Sequence, residues 1–223
     1  MSVLRKTLVL FGFCFILQSC GNDGQKEFYA GLWDTAKESI PSKKNDDQAS
    51  EKAASNAQVL AQIDQPLILA SSGEVRTALV RVSLNGDYEQ WHSSGKIGFT
   101  FKDGLLTATR GLGGDLMNAD VQESLARLKS NSSQSATRVH RYLSGVNTIV
   151  LRSFVCFLRS EGPENTSVSG KSVRLTRVVE TCENSDSTFN NIYWRDQRSG
   201  FIWKSSQWIS TDVGAFIFER AFR

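Results

Sequence analysis

The 223-residue sequence predicts a mainly β protein: an antiparallel sandwich or barrel-like sheet with one N-terminal helix and one short inserted helix. Three observations predict it. Beyond residue 65 the spacing of apolar residues falls from helical to two, the period of a strand with one buried face. Asp103-Gly104 separates two such runs, and Asp-Gly in that setting signals a hairpin because both turn positions need positive φ. Short strand-like runs then recur to the end of the chain with turn residues between them, the pattern of a sandwich or barrel.

Taken in order, the first element is an export signal. Met1 to Lys6 carries Arg5 and Lys6 and no acid, and Thr7 to Leu17 is an uncharged, mostly apolar run. A bilayer-spanning helix needs about 20 residues, so this run is too short for a permanent span and reads as a secretory h-region. Its end, Leu17-Gln18-Ser19-Cys20, resembles the lipobox of bacterial lipoproteins, which predicts cleavage after residue 19 and acylation of Cys20. The alternative is an ordinary signal cut near Cys20 that leaves a free thiol. Gly21, where an aspartate would retain an enterobacterial lipoprotein in the inner membrane, points to the outer membrane. Several acyl chains on one cysteine would hold the protein on the bilayer, since each buried CH₂ contributes about 0.8 kcal/mol.

Residues 20–57 comprise the anchor, an amphipathic helix and a polar linker. Phe28, Leu32, Trp33, Ala36 and Ile40 fall at helical spacing within Glu27 to Ile40, and Pro41 stops the helix. Residues 42–57 are polar and charged. Residues 58–223 then form a single β-rich domain. Strands are expected at Pro66–Ser71, Val75–Leu84, Lys96–Lys102, Leu105–Arg110, Ala136–Leu143, Asn147–Arg159, Val173–Thr181, Thr188–Arg195, Gly200–Ile209 and Gly214–Arg220. Ala119 to Leu128 reads as the inserted helix, with Val121, Leu125 and Leu128 on one face, a capping box from Asp120 and Glu123, and Glu123 facing Arg127.

Loss of Arg5 and Lys6 with the signal leaves the charge near neutral, since 26 basic residues stand against 23 acidic ones in the full chain. Neither that balance nor any Lys/Arg run longer than Lys43-Lys44 suits nucleic acid. Of four cysteines, Cys14 leaves with the signal and Cys20 is lipidated, so Cys156 and Cys182 remain as a disulfide pair in an oxidising envelope. A hairpin centred on Ser169 would set the two directly opposite. Gly162-Pro163 leaves open a bridge that closes a loop rather than pinning a ladder. A metal site is discounted, because His92 and His140 lie far in sequence from both cysteines. No cofactor motif is present.

Arg110-Gly111-Leu112-Gly113-Gly114-Asp115-Leu116 follows a strand, as phosphate loops do, but lacks both the dinucleotide glycine pattern and a Gly-Lys-Ser/Thr. It reads either as a tight connection or as a loop where a ligand meets bare backbone. No catalytic set stands out: two histidines and several carboxylates fit a triad or a glycosidase pair without selecting one. Trp91, Tyr193, Trp194, Trp203 and Trp208, interleaved with Asn190, Asn191, Arg195, Lys204 and Gln207, suit either sugar rings or core packing.

Three segments carry a resemblance: Trp91 with Gly104 through Leu116, then Phe189-Asn190-Asn191-Ile192-Tyr193-Trp194-Arg195-Asp196, then Ile202-Trp203-Lys204-Ser205-Ser206-Gln207-Trp208-Ile209-Ser210. In this order and with the lipobox, the chain resembles the YjbF/GfcB family of lipoproteins from group 4 capsule and exopolysaccharide operons. It departs from the family at Ser206, where an arginine is usual, and at Thr211, near a usual proline. The resemblance implies an outer-membrane lipoprotein acting in polysaccharide secretion or assembly, with no established catalytic activity, and the leading expectation is a non-enzymatic factor on the periplasmic face. Its partners would be the membrane, the polysaccharide and proteins of the export machinery. Trp91, Arg110, Gly111, Gly113, Gly114, Asp115, Trp194, Gln207 and Trp208 are the candidate ligand or partner surface. The competing expectation is a polysaccharide-modifying enzyme of the periplasm centred on Asp115, His92 or Arg110.

Overall fold

The computed structural model describes residues 66–221, apart from 74 and 147. The signal peptide, Cys20, the helix expected over 27–40 and the polar linker lie outside the described residues. Twelve strands and one helix make up the described chain: β1 Leu67–Ser72, β2 Val75–Asn85, β3 Tyr88–His92, β4 Gly98–Lys102, β5 Leu105–Arg110, β6 Leu116–Asp120, α1 Gln122–Ser130, β7 Ala136–Leu143, β8 Ile149–Val168, β9 Lys171–Glu183, β10 Thr188–Arg195, β11 Ile202–Ser210 and β12 Gly214–Arg220. All strands join one antiparallel sheet in the order β5-β4-β3-β2-β1-β12-β11-β10-β9-β8-β7-β6. Read as a circle this is sequence order, so the fold is an up-and-down barrel left open at a single seam, between β5 and β6.

Side chains do part of the work of closing that seam. Thr109 Oγ1 at the end of β5 accepts the Leu116 N–H of β6 (2.9 Å) and donates to Asp115 Oδ1 (2.9 Å). Gln207 reaches across from β11, accepting the Leu106 N–H (2.7 Å) and donating to the Gly104 carbonyl (2.9 Å) on the free edge of β5. A single buried amide thereby replaces two missing ladder bonds.

The interior is filled by rings rather than left as a channel. Phe99 packs on Phe216 and Phe218, and Phe101 packs edge-on against Phe218. Beyond the pair Ile192–Ser206 the β10–β11 ladder opens, and side chains take over its bonds. There Asn191 Oδ1 accepts the Trp208 N–H (2.8 Å), Tyr142 donates to the Ile209 carbonyl (2.7 Å), and Trp208 stacks on Phe189 (4.3 Å between centroids). Outside, Ile149, Leu151, Val155 and Phe157 occupy alternate positions of β8 and are each 48–60% exposed, with Leu143 facing Ile149 across the β7–β8 ladder.

Two strands were not expected, β3 and β6, and the helix is displaced. Ala119 and Asp120 belong to β6, and α1 begins only after Val121, with no side-chain cap. The expected capping box fails because its members find other partners. Asp120 accepts the nearby Gln122 N–H (3.1 Å), whereas Glu123 accepts the Thr137 N–H of β7 (2.8 Å). Arg127 donates to the Ser135 carbonyl instead of meeting Glu123.

Cys156 and Cys182 are bonded and directly opposite in the β8–β9 ladder. The expected register is reached by a different route. The turn is two residues long, Ser169 and Gly170, both at positive φ, and a bulge between Ser160 and Gly162 restores the one-residue offset. Pro163 is tolerated because β7 pairs only with Ile149 to Cys156, so at Pro163 the strand has a neighbour on one side.

Candidate functional site: a cleft at one end of the barrel

The antiparallel order assigns each turn to one of two ends, and it divides the sequence-derived candidates between them. Arg110, Gly111, Gly113, Gly114 and Asp115 lie at the end formed by the β3–β4, β5–β6 and β11–β12 connections. This loop is closed on itself. Asp115 accepts from the Gly111 N–H, the Leu112 N–H and Thr109 Oγ1 (2.9, 3.2 and 2.9 Å). Ser210 Oγ donates to the Gly114 carbonyl (2.8 Å), and a side chain at 114 would meet Ser210, Asp212 and Val213 at 3.0–3.2 Å. The loop therefore packs under the β11–β12 turn with its carboxylate fully engaged. Arg110 turns its guanidinium back onto the Thr109 carbonyl. His92 and Arg110 pair with Gly98 from either side, the His92 ring and the Arg110 Cβ lying over its bare Cα.

The tryptophans share no cleft, because strand alternation sends them to separate neighbourhoods. Trp91 is fully buried, its N–H donated to Glu89 (3.2 Å) and its ring covered by Arg220. Trp208 lies among Phe189, Phe154 and His140. Trp194 is on the outer face, donating to Glu164 beside Arg177 and Lys204. Trp91 and Gln207 are thus interior residues and not the surface the sequence offered; the first fills the core, and the second ties the seam.

A polar cluster the sequence did not reveal lies under the disulfide. Glu180 Oε2 accepts from Arg138 (2.6 Å), Tyr193 (2.7 Å) and Asn191 (2.8 Å), all four side chains being buried. Burial opposes ionisation of Glu180, but the Arg138 guanidinium and the surrounding donors hold its carboxyl below the ordinary range. His140 is held well below its usual value by burial and then by Arg138. Tyr142 uses its only proton on Ile209, so His140 Nδ1–H is the donor in their 3.0 Å contact and Nε2 is bare. Cys156, Glu180 and Cys182 are the one group of possible metal ligands among the described residues, but the two sulfurs are bonded to each other and cannot serve as thiolates.

The opposite end of the barrel holds an open cleft of about 690 Å³. The β2–β3 turn supplies Asp87, with Glu89 just beyond it, and the β4–β5 turn supplies Asp103; the end of α1 supplies Lys129, and the β10–β11 connection supplies Arg198 and Phe201. Lys129 bridges to Asp103 (2.7 Å), and Arg220 pairs with Glu89 (2.6 Å) while covering the rings of Phe201 and Trp91. Arg195 fastens the helix to β10 by donating to the Leu128 carbonyl (2.7 Å) and to Asn131. Asp196 shapes the 196–201 connection by accepting the Ser199 N–H, the Ser199 hydroxyl and the Arg198 N–H, which holds its carboxyl below the ordinary value. Of the polar residues interleaved with the aromatics, Arg195 lines this cleft, and none of the residues offered as a ligand or partner surface does.

A family model described as group 4 capsule polysaccharide lipoprotein gfcB, YjbF, matches residues 29–220. Among solved structures, the crystal structure of the hypothetical lipoprotein YmcC from Escherichia coli (K12) is similar in fold. The TM-score is 0.64 at 15% identity, covering 82% of this chain and 98% of that one. No curated protein matches the chain.

Proposed function

We propose, from the premise that this chain belongs to the YjbF family of group 4 capsule polysaccharide lipoproteins, that it is a non-enzymatic factor in capsule or exopolysaccharide secretion and assembly. In this reading Cys20 carries the lipid, and the domain faces the periplasm from the outer membrane. The observation that carries it is the row Ile149, Leu151, Val155 and Phe157, extended by Leu143, on a sheet face that no other described element covers. An exposed apolar row on a compact domain is a surface for macromolecular contact, here with a protein of the export machinery. The groups best suited to catalysis support the same reading through their engagement: Asp115 pins its own loop, and Glu180 neutralises Arg138.

The second reading, a polysaccharide-modifying enzyme of the periplasm, draws on His92 and Arg110, which stand on the strands either side of Gly98. One set of cells separates the two. A Leu151→Glu/Phe157→Glu variant, folded and lipidated, should lower the amount of polysaccharide exported, as should Cys20→Ala. A His92→Ala variant should export the same polymer in wild-type amount. Wild-type export by the Leu151→Glu/Phe157→Glu variant would defeat the contact-surface reading, and an altered repeat unit in the His92→Ala strain would establish the enzyme.

A further inference from the structure

We infer that the cleft between α1 and the β2–β3, β4–β5 and β10–β11 turns is a glycan-binding site that holds a short, hydroxyl-rich segment of the polysaccharide. The inference rests on the proposed role in polysaccharide assembly and names the place where the polymer is held. The cleft volume of about 690 Å³ lies within the ~300–1,000 Å³ of ligand sites, enough for a few sugar rings. Its walls alternate in chemistry as a sugar does. Asp87, Glu89 and Asp103 offer carboxylate acceptors for hydroxyl protons, and Lys129, Arg195 and Arg198 offer donors for hydroxyl and ring oxygens.

The apolar C–H faces of a sugar have a counterpart too. Phe201 stands at the cleft 40% exposed, its ring braced edge-on by Trp203 (4.9 Å), and Leu84, Leu125, Leu128 and Ile202 add apolar lining. Arg195, more than nine-tenths buried, shapes this wall: its guanidinium donates to the Leu128 carbonyl and to Asn131, and its Nε is itself buried. The site is also rigidly held: Arg195 locks the helix end, Lys129–Asp103 spans two walls, and Arg220–Glu89 secures the floor. Preorganised polar groups of this kind favour binding because little order remains to be imposed by the ligand.

The test uses the mature chain and, as probe, oligosaccharides of a few repeat units made by partial hydrolysis of the polysaccharide exported by the same cells. Titration should shift the backbone amide resonances of the 196–201 connection and the 86–87 turn, and leave those of the 111–115 loop unmoved. Phe201→Ala and Arg198→Ala, both at exposed positions, should each weaken binding by about tenfold or more, the effect of losing one ring face or one charged donor. Gln197→Ala serves as a third cleft variant should either of these fold poorly, and Trp194→Ala on the outer face should bind as wild type. Failure of the oligosaccharides to shift cleft amides, or wild-type affinity in the folded cleft variants, would overturn the site. If deletion of the protein still abolished export in that case, the proposed function would stand and only the cleft assignment would fall.

Discussion

Replacing Glu180 with glutamine should be among the most damaging conservative changes in this protein. The carboxylate is fully buried and its Oε2 accepts three hydrogen bonds, one from the equally buried Arg138 at 2.6 Å. Glutamine keeps the shape but leaves Arg138 as an uncompensated interior charge, a loss of about 3–5 kcal/mol. That is a fifth or more of the ~5–15 kcal/mol available to a typical domain. At roughly 2–4 °C per kcal/mol for a domain of this size, the melting temperature should fall by about 6–20 °C. The pH dependence carries a second signature. The folded carboxyl titrates below its ordinary 4.5, so its contribution is complete above that value and is lost as pH falls through the depressed one. Glu180→Gln should lack this acid limb. Urea unfolding with the disulfide intact measures both effects. An Arg138→Met/Glu180→Gln double variant should recover part of the stability, because it removes the uncompensated charge while the amide oxygen still accepts from Tyr193 and Asn191. A cost below about 1 kcal/mol for Glu180→Gln, or a double variant as damaged as the sum of its singles, would refute the reasoning.

Three further outcomes are expected. His140 excludes a proton in the folded state that it takes up near 6.5 when unfolded; stability should be complete above 6.5 and decline below it by at most ~1.4 kcal/mol per pH unit, and urea midpoints at pH 7.5 and 5.5 should show the decline in wild type and not in His140→Leu. Gln207→Leu strands the Leu106 N–H and the Gly104 carbonyl at the β5 edge; it should cost about 2–4 kcal/mol and speed hydrogen exchange of the Leu106 amide, and unchanged exchange would show that the amide does not hold the seam. Gly111→Ala should destabilise more than Gly113→Ala in thermal unfolding. Both positions have positive φ, but only a Cβ at 111 would meet a backbone oxygen, that of Lys96 at 2.8 Å.

The cysteine register was legible in the sequence because the offset needs only residue counting, although a bulge and a two-residue turn produce it jointly. The Asp103-Gly104 hairpin was legible for the same local reason, and positive φ at both positions is observed. The Arg138–Glu180 pair escaped notice, yet a signal for it existed. Glu180 shares strand parity with Cys182, and Arg138 with Ala136, which faces Cys156, so inward cysteines imply inward charges. Strand β6 was hidden by the helix-like spacing of Val121, Leu125 and Leu128, all three of which lie beyond its last residue, Asp120. Only Arg195 and the Asp103-Gly104 turn of the cleft stand out in the sequence, and nothing there joins them. The cleft residues come from turns more than a hundred positions apart, and only the circular strand order brings Asp87, Lys129 and Arg198 to one end. The tryptophans misled because alternation, not composition, decides which side of a strand faces water. Trp194 is outside and its neighbour Tyr193 inside.

The most direct measurement of the central claim compares the exported polysaccharide of cells with and without the protein, by yield and by the structure of its repeat unit. The account predicts a marked fall in yield with the repeat unit unchanged, restored by the lipidated wild-type chain and not by Cys20→Ala. Wild-type yield with a changed repeat unit would contradict it and make the protein an enzyme.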